Sequence, residues 1–567
     1  MKRCPQCGRE YDTSMMFCLD DGAELLYGPG SADEPATALL HGTDASNEAA
    51  TRAQIHMTNQ TEVLPTGTGD IASRSRSLDK RLLAAPFLLA LIALGGFFAY
   101  RYFISTGQIE SIAVMPFVNE TGNAEVEYLS DGMTETLIKS LSSLPNVRVK
   151  PRSSVFRYKG KDVDLQTIAK DLNVHAIVNG RVTQRGDQIS LSLELVDVRN
   201  DNVIWTEQYQ RNQADIVSLQ TEIARDVSTK ISPKLSGADE TKITRAATAD
   251  PEAYQSYLKG RYYWNRRTAE NLKKAMEQFK AATDRDPNYA LAFVGLADCY
   301  AVLHEYAGSP TSETLPEAKR YAERALSLDP SIAEAHATLG VIYSGMWQWA
   351  ESEKEHKLAI ELNPNYATAY HWYSLLLKDL KRYDEASAMI KRAQELDPLS
   401  SVIGVNISRM YLDLQNNPEA SIQNSLKLIE LDPTFAAAYE FLGLAYLDVG
   451  RNDEALASLE KAVALSNRAS IALSNLGHVY AATGKREEAR SLIKELEEKY
   501  ARHESNGQYI AIVYAGLGEK DKAFEWLEKD FQIRNGKLSE IDWTYGLRPL
   551  KGDPRFKDLL RRMNLPE

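Results

Sequence analysis

The feature that most constrains this chain is a recurrence in its second half. Pro330, Pro364 and Pro398, each preceded by Asp or Asn, stand 34 residues apart, and Pro287 and Pro433 extend the series. Proline lacks a backbone N–H and cannot continue a helix, so a proline at fixed spacing marks where each unit breaks. The unit after Pro433 reads AYEFLGLAYLDVGRNDEALASLEKAVAL, with Tyr439, Leu442, Gly443, Tyr446, Ala455, Leu459 and Ala462 at packing positions. Gly443 and Ala455 are small, as two antiparallel helices require where they approach most closely. Similar sets stand at Leu339, Gly340, Tyr343 and Ala359, and at Leu476, Gly477, Tyr480 and Ala489. A single helix pair cannot bury its own apolar face, so such units must stack into a solenoid.

This pattern resembles the tetratricopeptide repeat. About eight units are expected across 250–530, with EYAGSPTSETLP after His304 lengthening one turn and 531–567 serving as a C-terminal capping segment. The resemblance implies a protein or peptide partner in a concave groove lined by the inner helices. By register, His371, Lys378, Arg409, Asp413, Glu440, Asp448 and His478 are expected to point into it. Their mixed signs select no particular ligand, and no small-molecule substrate is evident. The cluster Trp347, Trp349, His356, His371 and Trp372 is read as inter-repeat packing, and Cys299 as a small buried apolar residue.

Ahead of the repeats, Leu82 to Tyr100 carries no charge. As a helix this run is roughly 28 Å long, close to the hydrocarbon thickness of a bilayer. Segment 81–104 is therefore expected to be a single transmembrane helix. Arg74, Arg76, Lys80 and Arg81 flank its start and only Arg101 lies close after its end. The excess of positive charge places the N-terminus in the cytoplasm and the later domains outside it. Residues 28–80, rich in Gly, Ser, Thr and Ala, read as a flexible linker.

The first 27 residues contain three of the four cysteines. Cys4 and Cys7 have the spacing of half a zinc site, and Cys18 is followed three positions later by Asp21. So small a fold has little core, and bound Zn²⁺ supplies folding energy. Cys4, Cys7 and Cys18 are expected to hold a structural Zn²⁺, with Asp21 as a plausible oxygen ligand. The CPxCG…FCxxDGxxL pattern resembles the short zinc ribbons at the N-termini of bacterial membrane and regulatory proteins, in which the last ligand is usually cysteine. Lys2, Arg3 and Arg9 are outnumbered by Glu10, Asp12, Asp20, Asp21 and Glu24, and the whole chain carries a formal charge of −12. That balance disfavours nucleic acid as a partner.

Between the membrane segment and the repeats, 108–235 reads as an α/β domain. SIAVMPF suits a buried strand, EYLSDGMTETLIKSLSSL a helix entered at Asp131–Gly132, and VRVKPRSSVF a further strand. DLQTIAKDLNV opens a helix at an Asp cap, AIVNGRVTQRGDQISLSLELVDV is a hairpin, VIWTEQYQ a strand and IVSLQTEIARDVSTKI an amphipathic helix. Lys159 and Lys161 are read as a solvated loop. The stretches SIAVMPFVNETGN, EYLSDGMTETLIKSLS, VKPRSSVFRYKGK and DLNVHAIVNGRV resemble the TolB N-terminal-like (FlgO-like) domain, whose relatives carry interchangeable cytoplasmic heads.

The expected architecture is multidomain: a zinc ribbon, one transmembrane helix, an α/β domain and an all-α tetratricopeptide repeat solenoid. The expected function is a membrane-anchored interaction scaffold or sensor that performs no catalysis. A signalling enzyme is disfavoured because the sequence has no GxxxxGK[ST], HRD, DFG, HExxH or GxSxG motif. The alternative is a membrane-bound signalling or transcriptional regulator whose zinc ribbon contacts nucleic acid or a regulator.

Overall fold

The structure, a computed structural model, describes residues 109–566 apart from 124–125, 145, 233–234, 245–246, 267 and 307–308, together with three two-residue strands near the N-terminus. Those strands, β1 (Lys2–Arg3), β2 (Glu10–Tyr11) and β3 (Leu26–Tyr27), form an antiparallel sheet with β1 in the middle. Cys4, Cys7, Cys18 and Asp21 lie outside the described residues, as do the linker 28–80 and the apolar segment 81–104. Among the described residues no helix is long and apolar enough to cross a membrane.

The α/β region holds β4 (Ser111–Val114), β5 (Val118–Asn119), α1 (Glu127–Leu141), β6 (Arg148–Val149), α2 (Arg152–Phe156), α3 (Leu165–Leu172), β7 (Ala176–Arg185), β8 (Gln188–Asp197), β9 (Asn202–Asn212), α4 (Ile216–Ile231) and α5 (Gly237–Thr244). Its sheet runs β6-β4-β7-β8-β9, parallel at β6-β4-β7 and antiparallel through the hairpins. All four residues of β4 are buried, as a continuous apolar run in mid-sheet requires. The β7–β8 hairpin turns on Gly186 and Asp187, with Gly186 at φ +58°. Asp164 caps α3 by accepting from the backbone N–H of Thr167 at 2.9 Å.

Three local expectations are corrected. α1 begins at Glu127, so Asp131 and Gly132 lie inside it, and Lys159 pairs with Glu127 and Asp131 instead of standing in a solvated loop. VRVKPRSSVF holds strand only at Arg148–Val149, because Pro151 sits at the N-cap of the short helix α2.

Eight helix pairs follow among the described residues: α6 (Pro251–Trp264) with α7 (Ala269–Arg285), α8 (Ala290–Tyr306) with α9 (Thr311–Leu328), α10 (Ala333–Gly345) with α11 (Trp349–Leu362), α12 (Ala367–Asp379) with α13 (Tyr383–Leu396), α14 (Ser401–Asp413) with α15 (Pro418–Leu431), α16 (Ala436–Asp448) with α17 (Asn452–Leu465), α18 (Ser470–Ala482) with α19 (Arg486–Ala501) and α20 (Gly507–Gly516) with α21 (Lys520–Gln532). The Asp-Pro marker has a clear mechanism. The Asp or Asn side chain skips the proline, which has no N–H, and accepts from the residue beyond it. Asn288, Ser331, Asn365 and Thr434 donate in this way to Asp286, Asp329, Asn363 and Asp432 at 2.9, 3.0, 3.1 and 3.0 Å. A Cβ on Gly443 would lie 2.7 Å from Leu459 and 3.0 Å from the Ala455 carbonyl, so the small residue at the crossing is required by contact.

After α21 the chain forms two 3₁₀ segments, Gly536–Trp543 and Tyr545–Leu550, and ends in α22 (Pro554–Arg562). Leu538, Ile541, Leu547 and Leu550 are fully buried in one core with α20, α21 and α22. Trp347 stacks on Phe531 with ring centroids 5.5 Å apart, and the Trp349 indole donates to the Met563 carbonyl at 2.9 Å. Trp347 thus packs the third helix pair against the eighth, as the expected inter-repeat packing has it, whereas Trp349 joins the third pair to the C-terminal cap.

Candidate partner-binding groove

Inner helices α12, α14, α16 and α18 carry the seven groove residues singled out by register: His371 and Lys378, Arg409 and Asp413, Glu440 and Asp448, and His478. In the structure the hollow they face holds the chain's own segment Gly536–Leu550. Within the expected capping segment 531–567, residues 536–550 share the cap core with α22 and also turn back into the concave side. A 3₁₀ helix has about three residues per turn, which sets Lys537, Glu540 and Trp543 on one side and Leu538 with Ile541 on another. Leu538 and Ile541 belong to the cap core, and Glu540 and Trp543 meet the groove.

The contacts are specific. Lys378 Nζ stands 3.5 Å and the Arg409 guanidinium 3.8 Å from the centre of the Trp543 ring. The Trp543 indole N–H donates to Asp379 Oδ1 at 2.6 Å. Arg409 donates to Glu540 at 3.2 Å, and Lys537 donates to the same carboxylate at 2.9 Å. Tyr545 donates to Asp448 at 2.9 Å, Arg548 lies 3.3 Å from Asp448, and Arg548 also donates to the Leu412 carbonyl at 2.6 Å. The Tyr545 ring meets His478 edge-on with centroids 5.8 Å apart. Glu440 faces Asn475, which donates to it at 2.8 Å.

Burial governs the electrostatics. Lys378 is only 1% exposed and its ammonium has no hydrogen-bond partner, so burial, and then Arg409, lowers its pKa. Burial likewise raises Asp379 and Asp413. Burial pushes Glu440 up to about 7 and His478 down to about 4. His371 is lowered to about 4 by burial and then by Lys378. Glu540 goes the other way: burial opposes its ionisation, but Lys537 and Arg409 hold it at about 2.

Register brought seven inner-helix residues to one face, but it did not reveal Asp379, Glu540, Trp543, Tyr545 and Arg548. The apolar density of GKLSEIDWTYGLRPL gave no signal: six of its 15 residues are apolar, against 44% of the whole chain. Beside the occupied part of the groove a cavity of about 1180 Å³ opens between α1 and the inner helices, lined by Glu135, Arg261, Tyr289, His371, Arg409 and Trp543. Glu135 is held there by Arg261 at 2.6 Å, Arg152 at 3.1 Å and Asn265 at 2.9 Å.

Family models match four stretches of the chain. The model for the HilA/YgeH-like transcriptional regulator, second domain, matches 108–226, and tetratricopeptide models match 367–398, 443–484 and 472–501. The protein named "Putative adenylate cyclase 3" of Rhizobium meliloti is 29% identical over 245 residues, 43% of this chain and 42% of that protein. The type IV pilus assembly protein PilF of Pseudomonas aeruginosa is 28% identical over 124 residues, 21% of this chain and 49% of that protein. The chain thus spans less than half the length of these curated relatives. Among solved structures, YrrB, described as a TPR protein with an unusual peptide-binding site, is 20% identical, with 34% of this chain and 95% of that chain covered and a TM-score of 0.25. A tetratricopeptide repeat protein of Parabacteroides merdae is 18% identical, with 47% and 99% covered and a TM-score of 0.34. From the 34-residue period, the stacked helix pairs and the three family matches, this chain carries tetratricopeptide repeats.

Proposed function

We propose that this chain is a single-pass membrane-anchored scaffold that recognises a protein or peptide partner through its tetratricopeptide superhelix and performs no chemistry of its own. The observation that carries this reading is the occupant of the hollow. A stretch of polypeptide lies across the inner helices, held by an indole N–H on Asp379 and by Lys378 and Arg409 against the ring. A surface that holds one peptide through directed contacts suits recognition of another. Segment 81–104 is the proposed anchor, with the N-terminus in the cytoplasm of a bacterium, and Cys4, Cys7, Cys18 and Asp21 are the proposed ligands of a structural Zn²⁺. The non-catalytic reading rests on the missing catalytic motifs.

Crosslinked pull-down with the full chain in detergent, repeated with Trp543→Ala, tests the proposal. The partner set is expected to change when the occupant is loosened. An unchanged set would remove the groove from the account.

A second reading is favoured by the match of 108–226 to a transcriptional-regulator domain. In it the chain is a membrane-bound signalling or transcriptional regulator, and its zinc ribbon contacts nucleic acid or a regulator. The resemblance to TolB N-terminal-like proteins with exchangeable cytoplasmic heads supports the same arrangement. Salt-dependent binding of the full chain to DNA, lost on changing Cys4 and Cys7 to Ser, would select this reading.

A further inference from the structure

We infer that the groove reads a tryptophan with a carboxylate three residues before it, and that Gly536–Trp543 is its resident intramolecular occupant, displaced by a partner segment of the same chemistry. This rests on the scaffold reading and specifies the partner. The recognition set is compact. Arg409 touches both members of the pair, standing 3.8 Å from the Trp543 ring centre and 3.2 Å from Glu540. The 3₁₀ geometry of Gly536–Trp543 makes this possible, because residues three apart share a side. Asp379 fixes the rotation of the indole by accepting its N–H.

The groove side of this arrangement is built to be filled. Lys378 is buried with no hydrogen-bond partner for its ammonium, and the π face of the Trp543 ring, 3.5 Å away, compensates it together with the carboxylates of Asp413, Glu540 and Asp379. An incoming Glu-x-x-Trp segment would supply the same carboxylate, ring and N–H. The resident segment has the advantage of tethering, since Leu538 and Ile541 keep it in the cap core at high local concentration. A competitor in trans therefore binds the wild-type chain weakly until the resident ring is removed.

The test uses a fluorescently labelled peptide, KLSEIDWTYG, and anisotropy against the full chain. Trp543→Ala is expected to bind it about tenfold more tightly than the wild type, and replacing the peptide's Trp or Glu by Ala is expected to cost about tenfold in turn. Equal binding of the native and Trp-less peptides by a folded Trp543→Ala chain would overturn the inference. A second measurement on the wild type decides the matter even if that variant fails to fold. Excess peptide is expected to speed hydrogen exchange at 537–545 and leave α17 and α19 unchanged, and no change at 537–545 would overturn the inference. Partner capture by the full chain that is indifferent to excess peptide would reject this chemistry while leaving the scaffold reading intact.

Discussion

The indole N–H of Trp543 donates to Asp379 at 2.6 Å, and Asp379 is the last residue of its inner helix. A carboxylate there opposes the negative end of the helix dipole, and burial already raises its pKa, so the indole donor supplies compensation that the helix cannot. Trp543→Ala removes the ring against Lys378 and Arg409 together with that donor. It is expected to destabilise the chain by about 3–5 kcal/mol. Trp543→Phe keeps most of the ring and loses the donor, at about 1–3 kcal/mol. Urea midpoints of the two variants should fall in that order.

The α/β region and the repeats meet where a side chain has no room. A Cβ on Gly132 of α1 would lie 2.7 to 3.0 Å from three atoms of Leu258 on α6, and Leu258 is itself buried. Gly132→Val is expected to cost about 1–3 kcal/mol by overpacking. Leu258→Ala in the same chain should recover part of that loss, so the pair is non-additive in a double-mutant cycle. Strictly additive effects would place the strain elsewhere.

Local rules made much of this legible and left a defined remainder. The repeat period, the small residue at Gly443, the Asp164 cap and the Gly186–Asp187 hairpin each follow from contacts within a few residues or one helix crossing. What spacing did not reveal was contact made at long range. Asp397 belongs to the Asp-Pro series, yet its carboxylate accepts from Ser153 and Ser154 of the α/β region, the latter at 2.6 Å. Trp349 reads as inter-repeat packing, but its indole donates to Met563 in the C-terminal cap, and Trp347 packs on Phe531 of the distant eighth pair. The segment Gly536–Leu550 has a period of three, so a search for helical periodicity passes over it, and nothing local states that it lies in the hollow.

The proposed zinc site at the N-terminus makes a separate prediction. Thiolate is a softer donor than carboxylate and suits Zn²⁺ better. The purified chain is expected to hold one Zn²⁺ by metal analysis, lost on changing Cys4 and Cys7 to Ser. Asp21→Cys should raise the affinity by about tenfold or more in chelator competition. An affinity indifferent to residue 21 would leave the fourth position to another ligand.

Stability should also respond to pH through Glu440. Burial raises this carboxyl from 4.5 to about 7, against the opposing effects of Asn475 and Arg409. A group whose folded pKa is raised contributes stability that is fully present below the unfolded value and lost as pH rises through the folded one. Glu440 therefore adds a decline between pH 4.5 and about 7, on the order of 3 kcal/mol at roughly 1.4 kcal/mol per pKa unit. Asp379, Asp413 and Asp530 are also raised by burial and add to the fall. Glu540 works in a lower window: held at about 2, it contributes stability present above 4.5 and lost as pH falls through about 2. Glu440→Gln keeps the shape and removes the ionisation. Its unfolding free energy should fall less steeply than the wild type's between pH 4.5 and 7, with the curves diverging toward neutrality. Parallel curves would mean that Glu440 is solvated or neutralised by a partner in solution.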